Sequence, residues 1–197
     1  MKIIRDEITL KRVEVADIEM IREWRNSGDV RQYMIYRDHI SADMQKNWFN
    51  QINTPENLYF LIVADQTPVG LIYGADIDWA QGSVGNAGIF IANDADRESW
   101  YATTASILLH DYVFSIGLKS VYIKVLANNP RAIAYNTLMG YKLIRKEAET
   151  YIYKLDEKSY LNFKKKIEQL KVTSRFKSTE PIQVIYDDLE MRFPPYS

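Results

Sequence analysis

The stretch Gly88-Ile89-Phe90-Ile91-Ala92-Asn93-Asp94-Ala95-Asp96-Arg97-Glu98-Ser99-Trp100-Tyr101-Ala102 decides the fold. Its first four residues end a strand, and a polar loop runs from Asn93 to Ser99. A helix starts at about Trp100 with Tyr101, Ala105, Leu108, Tyr112 and Ile116 on one face, and Gly117 stops it. A helix start offers free N–H groups and a positive dipole end, so the junction can hold a phosphate, and Arg97 adds a cation. Every α/β protein has such junctions, so the flanking sequence must say what this one means.

Upstream, Leu58 to Ala64, Val69 to Ile77 and Ser83 to Ile91 read as three strands, joined by the turn Asp65-Gln66-Thr67-Pro68 and by Asp78 to Gly82. They predict an antiparallel meander. Before them, Ile8 to Val13 alternates as a strand. Asp17 can cap a helix with Ile18, Ile21 and Trp24 inward that ends near Asn26-Ser27-Gly28. Ser41 can cap another with Met44, Trp48 and Ile52 at spacing four. Downstream, Val121 to Leu126 is β-branched. Asn129-Pro130 caps a helix that stops at Gly140, Tyr141 to Leu155 holds one or two strands, and Asp156 to about Leu170 is helical. The order β α α β β β α β α β α fits neither a doubly wound fold nor an all-β one.

Composition narrows the function. Of 197 residues, 25 are basic and 26 acidic, leaving a net charge of −1 and no basis for a nucleic-acid partner. The absence of cysteine excludes disulfides, thiolate zinc sites and a cysteine nucleophile. No apolar run reaches membrane-spanning length and no signal peptide opens the chain, so a cytoplasmic protein with no membrane partner is expected. His39 and His110 are the only histidines, neither in a metal-ligand spacing, and His110 reads as a packed surface residue. The phosphate-loop, dinucleotide and serine-hydrolase motifs are all missing. From Lys154 to Lys177 there are eight basic and three acidic residues, and from Ser178 to Ser197 four acidic and one basic. That asymmetry lets the tail fold back on the helix or on a partner subunit, or stand as a solvated appendage.

Over about residues 5 to 155 the chain resembles the GNAT superfamily of coenzyme A-dependent N-acyltransferases. The family's pyrophosphate loop is matched by Arg97-Glu98-Ser99-Trp100-Tyr101-Ala102, and its second landmark by Asn129-Pro130-Arg131-Ala132 through Gly140-Tyr141. Ile21 to Asn26, Val30-Arg31-Gln32-Tyr33-Met34 and Asp38-His39-Ile40-Ser41 resemble the branch acting on amino-sugar nucleotides. The resemblance implies an α/β fold of the α+β type: a mixed, mostly antiparallel sheet flanked by helices over residues 1–155, with a C-terminal helix and tail at 156–197. It implies acyl-CoA as co-substrate, no metal, and an acetyl or short hydroxyacyl group moved onto the amine of a nucleotide-linked deoxyamino sugar for a surface polysaccharide. A homodimer is the assembly considered.

Site residues follow from the same resemblance. Arg97, Ser99, Trp100, Tyr101, Ala102, Asn129 and Ala132 are expected at the cofactor, and backbone N–H groups near Phe90 and Ile91 at the oxyanion. Arg25, Tyr33, Tyr36, Asp38 and His39 are expected at the acceptor, with Arg31 and Arg37 as further cations. Three departures stand out. Trp100 replaces the glycine that lets a backbone approach phosphate. Asn86 holds about the place of a general-base glutamate. The family's acid is a tyrosine seven residues after the motif Asn, where this chain has Asn136, with Tyr135 about 100° around the helix. Asn136 as hydrogen-bond donor to the leaving thiolate and His39 as base or sugar contact are the catalytic candidates. General acid–base help is worth about 10²–10⁴-fold, so positioning and oxyanion stabilisation can sustain a slower reaction without it. An N-terminal peptide or antibiotic acetyltransferase, and a non-catalytic CoA-binding scaffold, are the competing readings. A ribosomal peptide acceptor would call for an acidic cleft.

Overall fold

The computed structural model describes residues 1–97, 99–169 and 181–186. Nine strands among them form one sheet: β1 (Lys2–Arg5), β2 (Ile8–Arg12), β3 (Leu58–Ala64), β4 (Thr67–Asp78), β5 (Ser83–Ile91), β6 (Ser120–Leu126), β7 (Lys142–Lys146), β8 (Thr150–Asp156) and β9 (Gln183–Ile185). Their order is β7-β8-β6-β5-β4-β3-β2-β1-β9, antiparallel throughout except for the parallel pair β5–β6. Six helices accompany it: α1 (Ile18–Asn26), α2 (Gly28–Arg31), α3 (Ala42–Ile52), α4 (Tyr101–Ser115), α5 (Pro130–Leu138) and α6 (Glu157–Gln169). The α+β class and the β3–β4–β5 meander are as the sequence reads.

Side-chain alternation assigns the faces. Leu58, Phe60 and Ile62 of β3 join Ile8, Leu10 and Ile72 in the larger core under α4, whose Ala105 and Leu108 are fully buried. Tyr59, Leu61 and Val63, with Leu71 and Tyr73 of β4, face the smaller cluster under α1 and α3, which supplies Ile21, Trp24, Trp48 and Phe49. The second face is rich in aromatic rings, and the candidate site opens there.

Some local readings change. Asp17 does not cap α1. Its carboxylate accepts from the Glu14 N–H at 2.9 Å and closes the turn before the helix. Ser27 ends α1 and also caps α2, an element the sequence did not show, by accepting from the Val30 N–H. Strand β1 precedes the first strand expected from the sequence, Ile8 to Val13. Its Arg5 is buried and pairs with Asp111 of α4 at 2.6 Å. Within the predicted tail, Gln183–Ile185 adds a strand to the β1 edge, while Leu170 and the acidic stretch after Tyr186 lie outside the described residues. Helix α6 packs through Tyr160 and Phe163 onto the larger core. No helix among the described residues is long and apolar enough to cross a membrane.

Candidate active site

The site begins where β5 and β6 part. Their pairing runs Ser83↔Ser120, Val84↔Val121, then Ala87↔Ile123, and ends. From Val84 to Ala87 strand β5 advances three residues while β6 advances two, from Val121 to Ile123. The extra residue at Gly85-Asn86 makes a bulge, which bends a strand and breaks its ladder. Beyond it a cavity of about 850 Å³ opens, walled by Gly88 to Ile91 of β5 and Lys124 to Leu126 of β6. Phe90 and Ile91 are in this wall, with their pairing to β4 intact on the other side.

At one end the cavity meets α4 and α5. Arg97, Ser99, Ala102, Asn129, Ala132 and Asn136 line it, with Thr103 and Arg131 beside them. No side chain caps α4 across Trp100; the Ser99 hydroxyl accepts only from the Tyr101 N–H, at 3.3 Å. The next N–H groups of the first turn have no intrahelical partner by geometry, and two cations flank them, so this end fits a phosphate-bearing ligand. Arg97 is also held by the protein: it pairs with Asp94, donates to the Asp29 carbonyl at 2.6 Å, and sits 5.3 Å from the Tyr33 ring. It therefore ties this end to the loop after α2. Trp100 and Tyr101 stand outside the lining. Their rings pack edge to face at 5.3 Å and lean on the larger core.

The other end lies between the sheet and the segment from α1 to α3. Arg25, Tyr33, Met34, Ile35, Tyr36, Gln45 and Trp48 line it from above, and Tyr59 and Tyr73 form its floor. Those two tyrosines are cross-strand partners, stacked at 4.8 Å and 9°. Gly88 is required beside them, since a Cβ there would meet the Tyr73 ring and hydroxyl at 2.6–2.8 Å. Asn26 clasps the loop by donating to the Ile40 carbonyl at 2.9 Å and accepting from the Ile40 N–H at 2.8 Å. Asp38 and His39 are exposed on this loop and outside the lining, as are Arg31 and Arg37. His39 is thus not brought to the site as base or contact.

Among the described residues the lining has no Asp, Glu or His, and its charged residues are Arg25, Arg97, Lys124 and Arg131. Asn86 does reach the cavity, where it can donate or accept hydrogen bonds but take no proton. Asn136 donates one amide hydrogen to the Ala132 carbonyl at 2.8 Å and keeps another. Tyr135 points its hydroxyl at α4, 3.1 Å from the Ala102 carbonyl and 2.8 Å from the Ser106 hydroxyl, and burial pushes its pKa up to about 12. Among the described residues no group of His, Asp and Glu is arranged to hold a metal. Sequence reading missed Gln45, Trp48, Tyr59, Tyr73 and Lys124. The period-two alternation of β3 and β4, which puts Tyr59 with Leu61 and Tyr73 with Leu71 on one face, was the available signal for the two tyrosines.

A family model described as the acetyltransferase (GNAT) domain matches residues 7–142. Among solved structures, spermidine N-acetyltransferase from Vibrio cholerae, in complex with CoA and spermine, aligns at TM-score 0.72 and 20% identity, covering 80% of this chain and 100% of that one. A domain from Methanocaldococcus jannaschii aligns at 0.68 and 18%, covering 77% and 99%. FdhC, described as a nucleotide-linked sugar GNAT, aligns at 0.69 and 22%, covering 83% and 94%. No curated protein sequence matches significantly. The placement in the amino-sugar nucleotide branch, and with it the nucleotide-sugar partner, is corrected: forms of the spermidine enzyme recur among the structural matches. The Asp38-His39 motif that suggested sugar contact also does not reach the cavity. With more than half its length matched, the chain belongs to the GNAT acetyltransferase family and is an acyl-CoA-dependent N-acyltransferase acting on an amine.

Proposed function

We propose that the chain transfers an acetyl group from acetyl-CoA directly to a primary amine of a small molecule. The observation that carries this reading is the parting of β5 and β6 after Ala87↔Ile123. It leaves a slot with cations and free N–H groups at one end and an aromatic chamber at the other. The uncharged amine nitrogen attacks the thioester carbonyl carbon, so a C–N bond forms as the C–S bond breaks. The sulfur leaves as thiolate and the amine nitrogen releases its proton to water. Strand N–H groups of β5 that β6 no longer engages are the oxyanion donors assigned here. Asn136 donates to the departing sulfur. Arg97 and Arg131, with the first turn of α4, hold the pyrophosphate.

Polyamines are the acceptor class to which the fold neighbours point, and cations bind aromatic faces such as those of Tyr33, Tyr36 and Trp48. A second reading rests on the lining itself. The four charged residues among the described lining are all cations, which disfavours a multiply charged polyamine and equally the acidic-cleft requirement of a peptide acceptor. That reading is an amine with a single positive charge. Thiol release from acetyl-CoA tests the proposal, using spermidine, spermine and a series of monoamines. Turnover with at least one primary amine is expected, and none with any of them would overturn it.

A further inference from the structure

Two polar side chains in the aromatic chamber are left without partners. Arg25, on the last turn of α1, makes no hydrogen bond or ion pair among the described residues, and its Nε is buried with nothing to donate to. Gln45 of α3 is 3% exposed and its Nε2 likewise finds no acceptor. Both line the same cavity, on helices that pack against each other. A buried donor without an acceptor is costly, and natural structures leave few of them. Among the described residues no carboxylate lines the wall to take either one.

The chemistry of the missing group follows from the donors. A guanidinium matches the geometry of an oxyanion, often with two parallel hydrogen bonds. Tyr59 and Tyr73 interact electrostatically with Arg25, and burial raises the pKa of both phenols, so they stay protonated as further donors. The unpaired guanidinium of Arg25 repels a second ammonium group and attracts an anion. We infer that the acceptor amine also carries an oxyanion, a carboxylate or a phosphate, which pairs with Arg25 while the Gln45 amide donates alongside. The inference rests on the N-acetyl transfer proposed above and names the acceptor class for that site. Transfer itself is unchanged, with the C–N bond formed at the far end of the acceptor from its anion.

The experiment compares matched acceptors under one concentration of acetyl-CoA. 4-Aminobutanoate is set against 4-aminobutanamide, O-phosphoethanolamine against ethanolamine, and spermidine stands alone. The anionic member of at least one pair should exceed its neutral partner about 10–100-fold in kcat/KM. The pair that responds separates carboxylate from phosphate. Arg25→Gln, checked for folding by circular dichroism, should bring that ratio close to one, Arg25→Lys should keep part of it, and added salt should shrink it. Gln45→Leu should reduce it by a smaller factor. A ratio unchanged in Arg25→Gln, or a higher kcat/KM for spermidine than for either anionic amine, overturns the inference. If no amine turns over, the transfer reading fails by itself. Calorimetry of 4-aminobutanoate and O-phosphoethanolamine with the CoA-bound protein then decides: binding lost in Arg25→Gln supports the anion subsite, and no binding to the unmodified protein overturns it.

Discussion

Tyr135 shows how much a single residue's direction matters. One position along α5 from the family's acid, it could supply a proton only if the helix were rotated. Its hydroxyl is instead committed to Ala102 and Ser106 of α4, and its raised pKa makes it a poor proton donor. Tyr135→Phe should therefore leave kcat within a few-fold, measured by thiol release, where loss of a general acid would cost about 10²-fold or more. The sequence made Asn129 and Ala132 legible because a cap has a local grammar: the Asn129 carboxamide oxygen accepts from the Ala132 N–H at 3.0 Å, followed by proline at the first turn. Gln45 was illegible because nothing in its neighbours along the chain says that its amide ends in a cavity wall. Motif position puts Trp100 and Tyr101 beside the cofactor loop, but it does not tell that their rings pack against the larger core.

At the scale of elements, the boundaries of β3 and β5 match the sequence reading because apolar alternation and turns set them. The parting of β5 from β6 is different. It depends on a one-residue bulge at Gly85-Asn86 whose partner strand lies more than thirty residues away, so no local pattern encodes it. The β1 strand hid behind Arg5, whose burial is explained only by Asp111 on α4. Strand β5 also needs room on its aromatic face. Gly88→Ala would place a Cβ within 2.8 Å of the Tyr73 ring. The variant should displace Tyr73 from its stack with Tyr59 and lower acceptor kcat/KM, while calorimetry finds CoA affinity little changed. Equal kcat/KM in the variant would mean that the chamber floor is not part of the acceptor site.

Across the whole molecule, a buried polar seam joins the N-terminal strand, α4, α6 and the link from α5 to β7. Asp111 accepts from Arg5 at 2.6 Å, from the Tyr160 hydroxyl at 2.7 Å and from Lys164 at 2.8 Å. The preceding residue is His110, read from sequence as a surface residue and in fact 6% exposed. Its Nδ1 is 2.5 Å from the Ser106 carbonyl, which can only accept, so Nδ1 carries the hydrogen and Nε2 accepts from the Tyr141 hydroxyl at 2.7 Å. Burial pushes its pKa down from 6.5 to about 4. Between those two values the unfolded chain binds a proton that the folded one refuses. Stability is therefore complete above about pH 6.5 and falls as pH drops towards 4, by about 3 kcal/mol for this group. Urea unfolding at pH 7 and pH 4.5 should show the wild type losing about 2–3 kcal/mol more than His110→Gln over that interval. Equal losses would place the proton elsewhere.

The central claim is direct transfer of an acyl group from acyl-CoA to an amine in the slot between β5 and β6, with no covalent enzyme intermediate. The chain has no cysteine, and no histidine lines the cavity to activate a hydroxyl. The decisive measurement is a rapid-quench single turnover with acetyl-CoA and an amine that is turned over, reading free thiol, acetylated amine and intact protein mass from the same samples. The account predicts that thiol and amide appear together in equal amounts while the protein mass stays unchanged at every time. An acetylated protein that forms and decays at the rate of turnover, or thiol released without amide, would contradict it.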